Sequence, residues 1–159
     1  MANFSLPSGM EYSAEFLRGW PVDGGLELDY PIATGQTLAI GDLVKPVVES
    51  GVVKVTKTVS GDEALAIGHG AGIVVRGNGD DKSAAEVMKA VVLWGKYIVR
   101  TQKFDTTNIN STALIGSGVV AGASGAFVLA AAAKDAALGT IIEYKAASGS
   151  IPAYIVVAV

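Results

Sequence analysis

Apolar and polar positions alternate with a period of two along most of this chain, the pattern of half-buried strands. Leu26, Leu28 and Tyr30 alternate with Glu27 and Asp29. Further on, Val53, Val55 and Val59 share one face, while Lys54, Thr56 and Thr58 take the other, which is expected to be wet. The longest β-rich run is AVVLWGKYIVRT, residues 90–101. Ala90, Val92 and Trp94 fall on one side of it and Val91 and Leu93 on the other, so both faces are apolar and the run reads as a central strand. Gly95 breaks the alternation. A bulge at Gly95-Lys96 is expected there, re-aiming the chain so that Tyr97 and Val99 continue the face of Val92 and Trp94.

On either side of that run stands what reads as one β-unit written twice. Leu38-Ala39-Ile40-Gly41 leads into a strand through Val44 and Val47, Glu49-Ser50-Gly51 turns it, and Val52 to Val59 returns. Pro46 marks its strand as an edge or as bulged, since proline cannot donate to a ladder. In the second copy Ala113-Leu114-Ile115-Gly116 leads into Val119-Val120, Gly125 takes the place of Gly51, and Ala126 to Leu129 returns. Ala136-Ala137-Leu138-Gly139 is expected to echo Ala64-Leu65-Ala66-Ile67-Gly68, the β segment that closes the first unit. Strands at residues 140–144 and 154–159 close the sheet, and residues 130–137 have the propensity for a short helix. Loops are expected at 78–86 and, with Asx-turn chemistry, at 104–112. The expected architecture is all-β: a compact β-barrel or β-sandwich of two similar units around a central bulged strand.

Residues 1–25 differ from the rest. Phe4, Leu6, Met10, Tyr12, Phe16, Leu17 and Trp20 are interrupted by Pro7, Gly9, Gly19, Pro21 and Gly24-Gly25, so large apolar groups alternate with residues that stop regular structure. This predicts an extended N-terminal arm, residues 1–25, ahead of a single β domain, residues 26–159. Ser13 is placed to cap one helical turn through Leu17. The arm either folds back on its own domain or inserts its aromatics into a neighbour. Phe4, Leu6, Tyr12, Phe16, Leu17 and Trp20 are the candidate partner contacts.

Composition narrows the function classes. Hydrophobic residues make up 50% of the 159-residue chain and charged ones 17%, an apolar balance that points to surface covered by another chain. The net charge of −3 and the absence of any Lys/Arg cluster argue against nucleic acid or an anionic membrane as partner. With no cysteine, thiolate chemistry is excluded. The first residues lack a basic stretch followed by an apolar one, and no run of apolar residues is long enough to span a bilayer as a helix, so a soluble product made in the cytoplasm is expected.

No active site emerges. His69, the single histidine, sits between glycines with no ligand partner at metal spacing, and Asp80, Asp81 and Glu86 lack the alternation of a calcium loop. The strings at 68–72 and 116–118 lack the lysine of a phosphate loop, and Ser124 lacks the spacing of a nucleophile elbow. The expectation is a protein without catalytic, cofactor or metal residues.

The order IGDLV, the Gly51 hairpin, ALAIG, VVLWGKYIVRT, ALIGSGVVAGASGAFVL and LGTII across residues 38–159 resembles the small capsid decoration, or cement, proteins of tailed bacteriophages. That resemblance implies a compact β-body without catalytic groups, bound to the outer surface of the virion and stabilising contacts between major capsid proteins. It implies a homo-oligomer, a trimer ahead of a dimer, with no cofactor. The arm and the 78–86 loop stand outside the pattern. The competing class is a carbohydrate-binding or adhesin module, which needs Trp20, Trp94 or Tyr97 on an exposed platform; an enzyme would have to begin from His69.

Overall fold

The computed structural model describes residues 15–17, 26–60, 62, 71–79, 89–95, 98–131 and 138–159. Eleven strands lie in these segments, with 3-10 turns at Thr112–Leu114 and Ala123–Gly125 beside them. In chain order they are β1 (Glu15–Leu17), β2 (Leu26–Pro31), β3 (Leu43–Glu49), β4 (Val52–Lys57), β5 (Gly72–Arg76), β6 (Lys89–Trp94), β7 (Ile98–Thr101), β8 (Gly118–Ala121), β9 (Phe127–Leu129), β10 (Gly139–Lys145) and β11 (Tyr154–Ala158). They form two antiparallel sheets, one ordered β2-β6-β5-β3-β4 and the other β1-β7-β11-β10-β8-β9.

Leaving β1 aside, the two sheets have the same topology. In each, the second and third strands in sequence make a hairpin, the fourth pairs with the second, and the fifth lies between the fourth and the first. The details repeat as well. Gly41 and Gly116, at φ 86° and 91°, introduce the hairpins, and both donate their N–H at 2.8 Å, to Val74 O and Ile141 O respectively. Ser50-Gly51 and Ser124-Gly125 both turn with two successive positive φ values. Each fourth strand carries a bulge on the side of its fifth, with Val75 and Ile142 as the extra residues. Each sheet also curls until the chain just past its first strand forms a parallel bridge to its third, Ile32 to Val55 and Phe104 to Phe127.

Curling gives each unit its own interior. Val44, Val55, Val74, Ala90 and Val92 line the first with Ile32 and Leu38, and Tyr30 and Trp94 pack against them. Val119, Phe127, Ile141, Ile155 and Val157 line the second, and this cluster also takes in Leu43, Ala71 and Ile73 from the first unit, with Leu93 against it. Strand alternation explains the division. Leu43, Ile73 and Leu93 point opposite to Val44, Val74 and Val92, so one side of the first sheet fills its own interior and the other joins the second unit.

Polar groups reinforce the junction. The buried Thr58 hydroxyl donates to Gly122 O at 2.8 Å, and Gly125 N–H donates to Thr58 O at 3.2 Å, setting the second hairpin on the first unit. Thr58 therefore does not lie on the wet face with Lys54 and Thr56; the hairpin of the second unit covers it. Asp42, 1% exposed, accepts from the Lys103 ammonium and lies 3.2 Å from Lys57 Nζ and 2.8 Å from Ala39 N.

The run at 90–101 is divided between the sheets. Gly95, at φ 99°, stands where the chain leaves β6, and β7 belongs to the second sheet. Val99 consequently lines the second interior rather than continuing the face of Val92 and Trp94. Gly95 is a sheet-to-sheet corner, and among the described residues the bulges lie elsewhere, in β5 and β10. One other expectation shifts. The counterpart of Gly139 in the first unit is Gly72, not Gly68, since these two glycines open the fourth strands and pair with Val119 and Val44 respectively. Asn78 lies in a turn at the start of the loop expected at 78–86, where its side chain accepts from Leu38 N–H at 2.8 Å and donates to Gln36 O at 3.1 Å. The positions 63–70, 80–88 and 132–137, with the strand, loop and short helix expected on them, lie outside the described residues.

Candidate docking surface

Of the six candidate contacts, Phe16 and Leu17 are described; Phe4, Leu6, Tyr12 and Trp20 lie outside the described residues. Residues 15–17 are a strand, not the capped helical turn expected after Ser13. They pair antiparallel with β7, setting Glu15 opposite Arg100, Phe16 opposite Val99 and Leu17 opposite Ile98. Alternation within these residues is compatible with either structure; a free sheet edge offers backbone partners that an isolated helical turn lacks. The arm thus reaches its own second unit through main-chain pairing.

Beside that edge is a polar row. The Arg100 guanidinium stands 5.2 Å from the Tyr154 ring centroid, and the Tyr154 hydroxyl donates to Glu143 at 3.0 Å. Partial burial, then the hydrogen bond to the Glu143 carboxylate, pushes the Tyr154 phenol above its ordinary value.

The second surface feature is the β3–β4 hairpin. Past Pro46 and Val55 it extends beyond the reach of β5, which pairs only with Leu43 and Val44. Proline at 46 accordingly sits where no β5 partner needs its missing N–H. Val48 and Val53 are cross-strand partners and are 68% and 49% exposed, with Val52 exposed beside the turn. The opposite face is tied down: Glu49 accepts from Lys54 Nζ at 2.8 Å and from Thr34 N and Oγ1 at 3.1 and 3.0 Å. The Lys54 hydrogen bond, followed by the Thr34 amide, holds the Glu49 carboxyl below its ordinary value. At the base of the hairpin Asp62 binds Lys45 Nζ at 2.6 Å and Val59 N–H at 2.7 Å. Burial pushes the Asp62 carboxyl up, but these two partners outweigh it and leave it lowered. The hairpin is a held ridge with two bare valines on one face.

The hydrophobic pattern marked these valines as strand residues and could not tell exposure from burial, because Val53 and the buried Val55 occupy the same face of the same strand.

Of the other candidate groups, those among the described residues have structural roles. Ser124 is exposed, with φ 57°, and forms the second hairpin turn. Asp105 makes the expected Asx turn, accepting from Thr107 N–H at 3.0 Å and Asn108 Nδ2 at 2.5 Å; the Asn108 contact leads in lowering its carboxyl. Trp94 is half-buried against the first interior, edge-on to Tyr30 with ring centroids 5.7 Å apart. His69, Asp80, Asp81, Glu86 and Tyr97 lie outside the described residues. Among the described residues no three His, Cys, Asp or Glu side chains converge as a metal site would require.

Comparison with protein-family models, curated proteins and solved structures finds no match to this chain.

Proposed function

We propose that this protein is a non-enzymatic decoration protein of a tailed bacteriophage, bound to the outer surface of the capsid and bridging neighbouring major capsid proteins. The observation that carries the reading is the hairpin ridge, which presents Val48 and Val53 on a tip fastened from behind by Glu49. Apolar groups held in place on a rigid body suit docking to a preformed lattice, because little ordering entropy is lost on binding. The doubled unit adds to this: two similar bodies joined at Gly95 can touch two similar neighbours. A ligand that binds only the expanded lattice stabilises that lattice by linkage, without any chemistry. The arm, with Phe4, Leu6, Tyr12, Phe16, Leu17 and Trp20, supplies further contacts to the capsid or to another copy in a homo-oligomer.

Trp94, one of the aromatics a sugar-binding module would need on a platform, instead packs against the first interior, which favours decoration over carbohydrate binding. The test is co-sedimentation with expanded and unexpanded heads of the phage that encodes the protein. Binding to the expanded form alone is expected. Equal binding to both, or to neither, overturns the proposal. Removal of residues 1–19 is expected to lower occupancy, and unchanged occupancy would remove the arm from the interface.

A further inference from the structure

The duplication allows the free edge of one unit to be read from the occupied edge of the other. Val99 pairs with Val157, which pairs with Ile141; in the first unit Leu28 pairs with Val92, which pairs with Val74. Leu28 is therefore the counterpart of Val99, and Asp29 that of Arg100. Val99 and Arg100 have a strand on their outer side, since β1 pairs with them through Phe16 and Glu15. At β2, among the described residues, no strand pairs with the corresponding side of Leu28 and Asp29. The side chains differ in the same sense: Val99 is fully buried, whereas Leu28 is 39% exposed. Asp29 is exposed and carries no ion pair among the described residues.

From this we infer that β2 is an acceptor edge for an extended segment of a partner protein in which basic and apolar residues alternate. Pairing in the register of β1 on β7 sets an apolar residue opposite Leu28 and a basic one opposite Asp29. Charge decides against the chain's own arm as occupant. The residue of β1 that stands opposite Arg100 is Glu15, and on β2 the same register would set it against Asp29. Arm exchange between copies is thereby disfavoured, and so is direct pairing of two β2 edges, which brings two acids together. The acid leaves the edge open to a partner while closing it to self-association. This inference needs no capsid and stands whether or not the decoration reading does.

The test uses the full-length, isotope-labelled protein with two capped eight-residue peptides, one alternating lysine and valine and one alternating glutamate and valine. The lysine peptide is expected to shift the amide resonances of Leu28 and Asp29 and to bind at least fivefold more tightly than the glutamate peptide. Asp29→Lys, a change at an exposed position that leaves the fold intact, is expected to reverse that order. Failure of both peptides to shift β2 overturns the inference, as does a preference that Asp29→Lys leaves unchanged. A peptide of residues 12–20 binding β2 as tightly as the lysine peptide overturns it too, since the edge would then accept a second copy of this chain.

Discussion

Gly72 and Gly139 are counterparts in the two units, and each lies against the counterpart valine of its neighbouring strand. A Cβ on Gly72 would fall 2.4 Å from Val92 Cγ1 and 3.1 Å from the Trp94 ring. One on Gly139 would fall 2.7 Å from Val157 Cγ1 and 2.7 Å from Ala158 O. Both glycines are needed for close approach of the fifth strand, so the repeated feature is a packing requirement.

Alanine at either position is expected to cost about 1–3 kcal/mol, the range for overfilling a packed interior. Gly51→Ala tests the other use of glycine. Its φ of +77° strains an L-residue, by about 1–2 kcal/mol, yet nothing lies within 4 Å of the added Cβ. Gly72→Ala should therefore change Trp94 fluorescence and Gly51→Ala should not, which a Trp20→Phe background would read cleanly.

Asp42 is expected to be the most sensitive charged position. It is buried between two lysines that are 32% and 33% exposed, one from each unit, and also accepts from Ala39 N–H. Asp42→Ala leaves that amide unpaired and removes the tie between the units, a loss of about 2–3 kcal/mol by urea denaturation. Either lysine alone, replaced by methionine, should cost less, because the other still neutralises the acid.

Acid should weaken the hairpin ridge through Glu49. Its carboxyl titrates below the ordinary 4.5 in the folded protein, so the stabilisation is present above that value and is lost as pH falls through the lowered one. Glu49→Gln should flatten the decline in stability as pH falls below 4.5, relative to the parent. Tyr154 has the opposite sense. Its raised phenol contributes below 10 and loses that contribution as pH climbs past it, so Glu143→Gln should shift tyrosinate formation to lower pH.

Replacing Val48 and Val53 together by threonine keeps β-branching and removes apolar surface. Because both are exposed, the change in stability should stay within about 0.5 kcal/mol. Occupancy on expanded heads should fall about tenfold, or about 1.4 kcal/mol in binding; full occupancy would exclude the ridge as a contact.

Much of the fold could be read from period-two alternation and turn residues: the hairpins at Gly51 and Gly125, the opposed faces of β6, and the pairing of Ala39-Ile40-Gly41 with Leu114-Ile115-Gly116. What escaped was long-range. A glycine in a β-rich run bulges a strand or turns it into another sheet, and only the hydrogen bonds of β7 with β11 decide between them at Gly95. Thr58 looked wet because alternation reports the face of a strand and not what a distant hairpin places on it. The candidate surface was legible only in part: the arm stood out by composition, whereas the exposure of Val48 and Leu28 depends on where neighbouring strands end.

The corner after Gly95 has a practical consequence. It is where the chain passes from one unit to the other, while Thr58 with Gly122, Asp42 with Lys103, and Leu43 and Ile73 with the second interior hold the units together without it. Cutting the backbone between Gly95 and Ile98 should therefore yield two pieces that find each other again, making the protein a natural subject for fragment complementation.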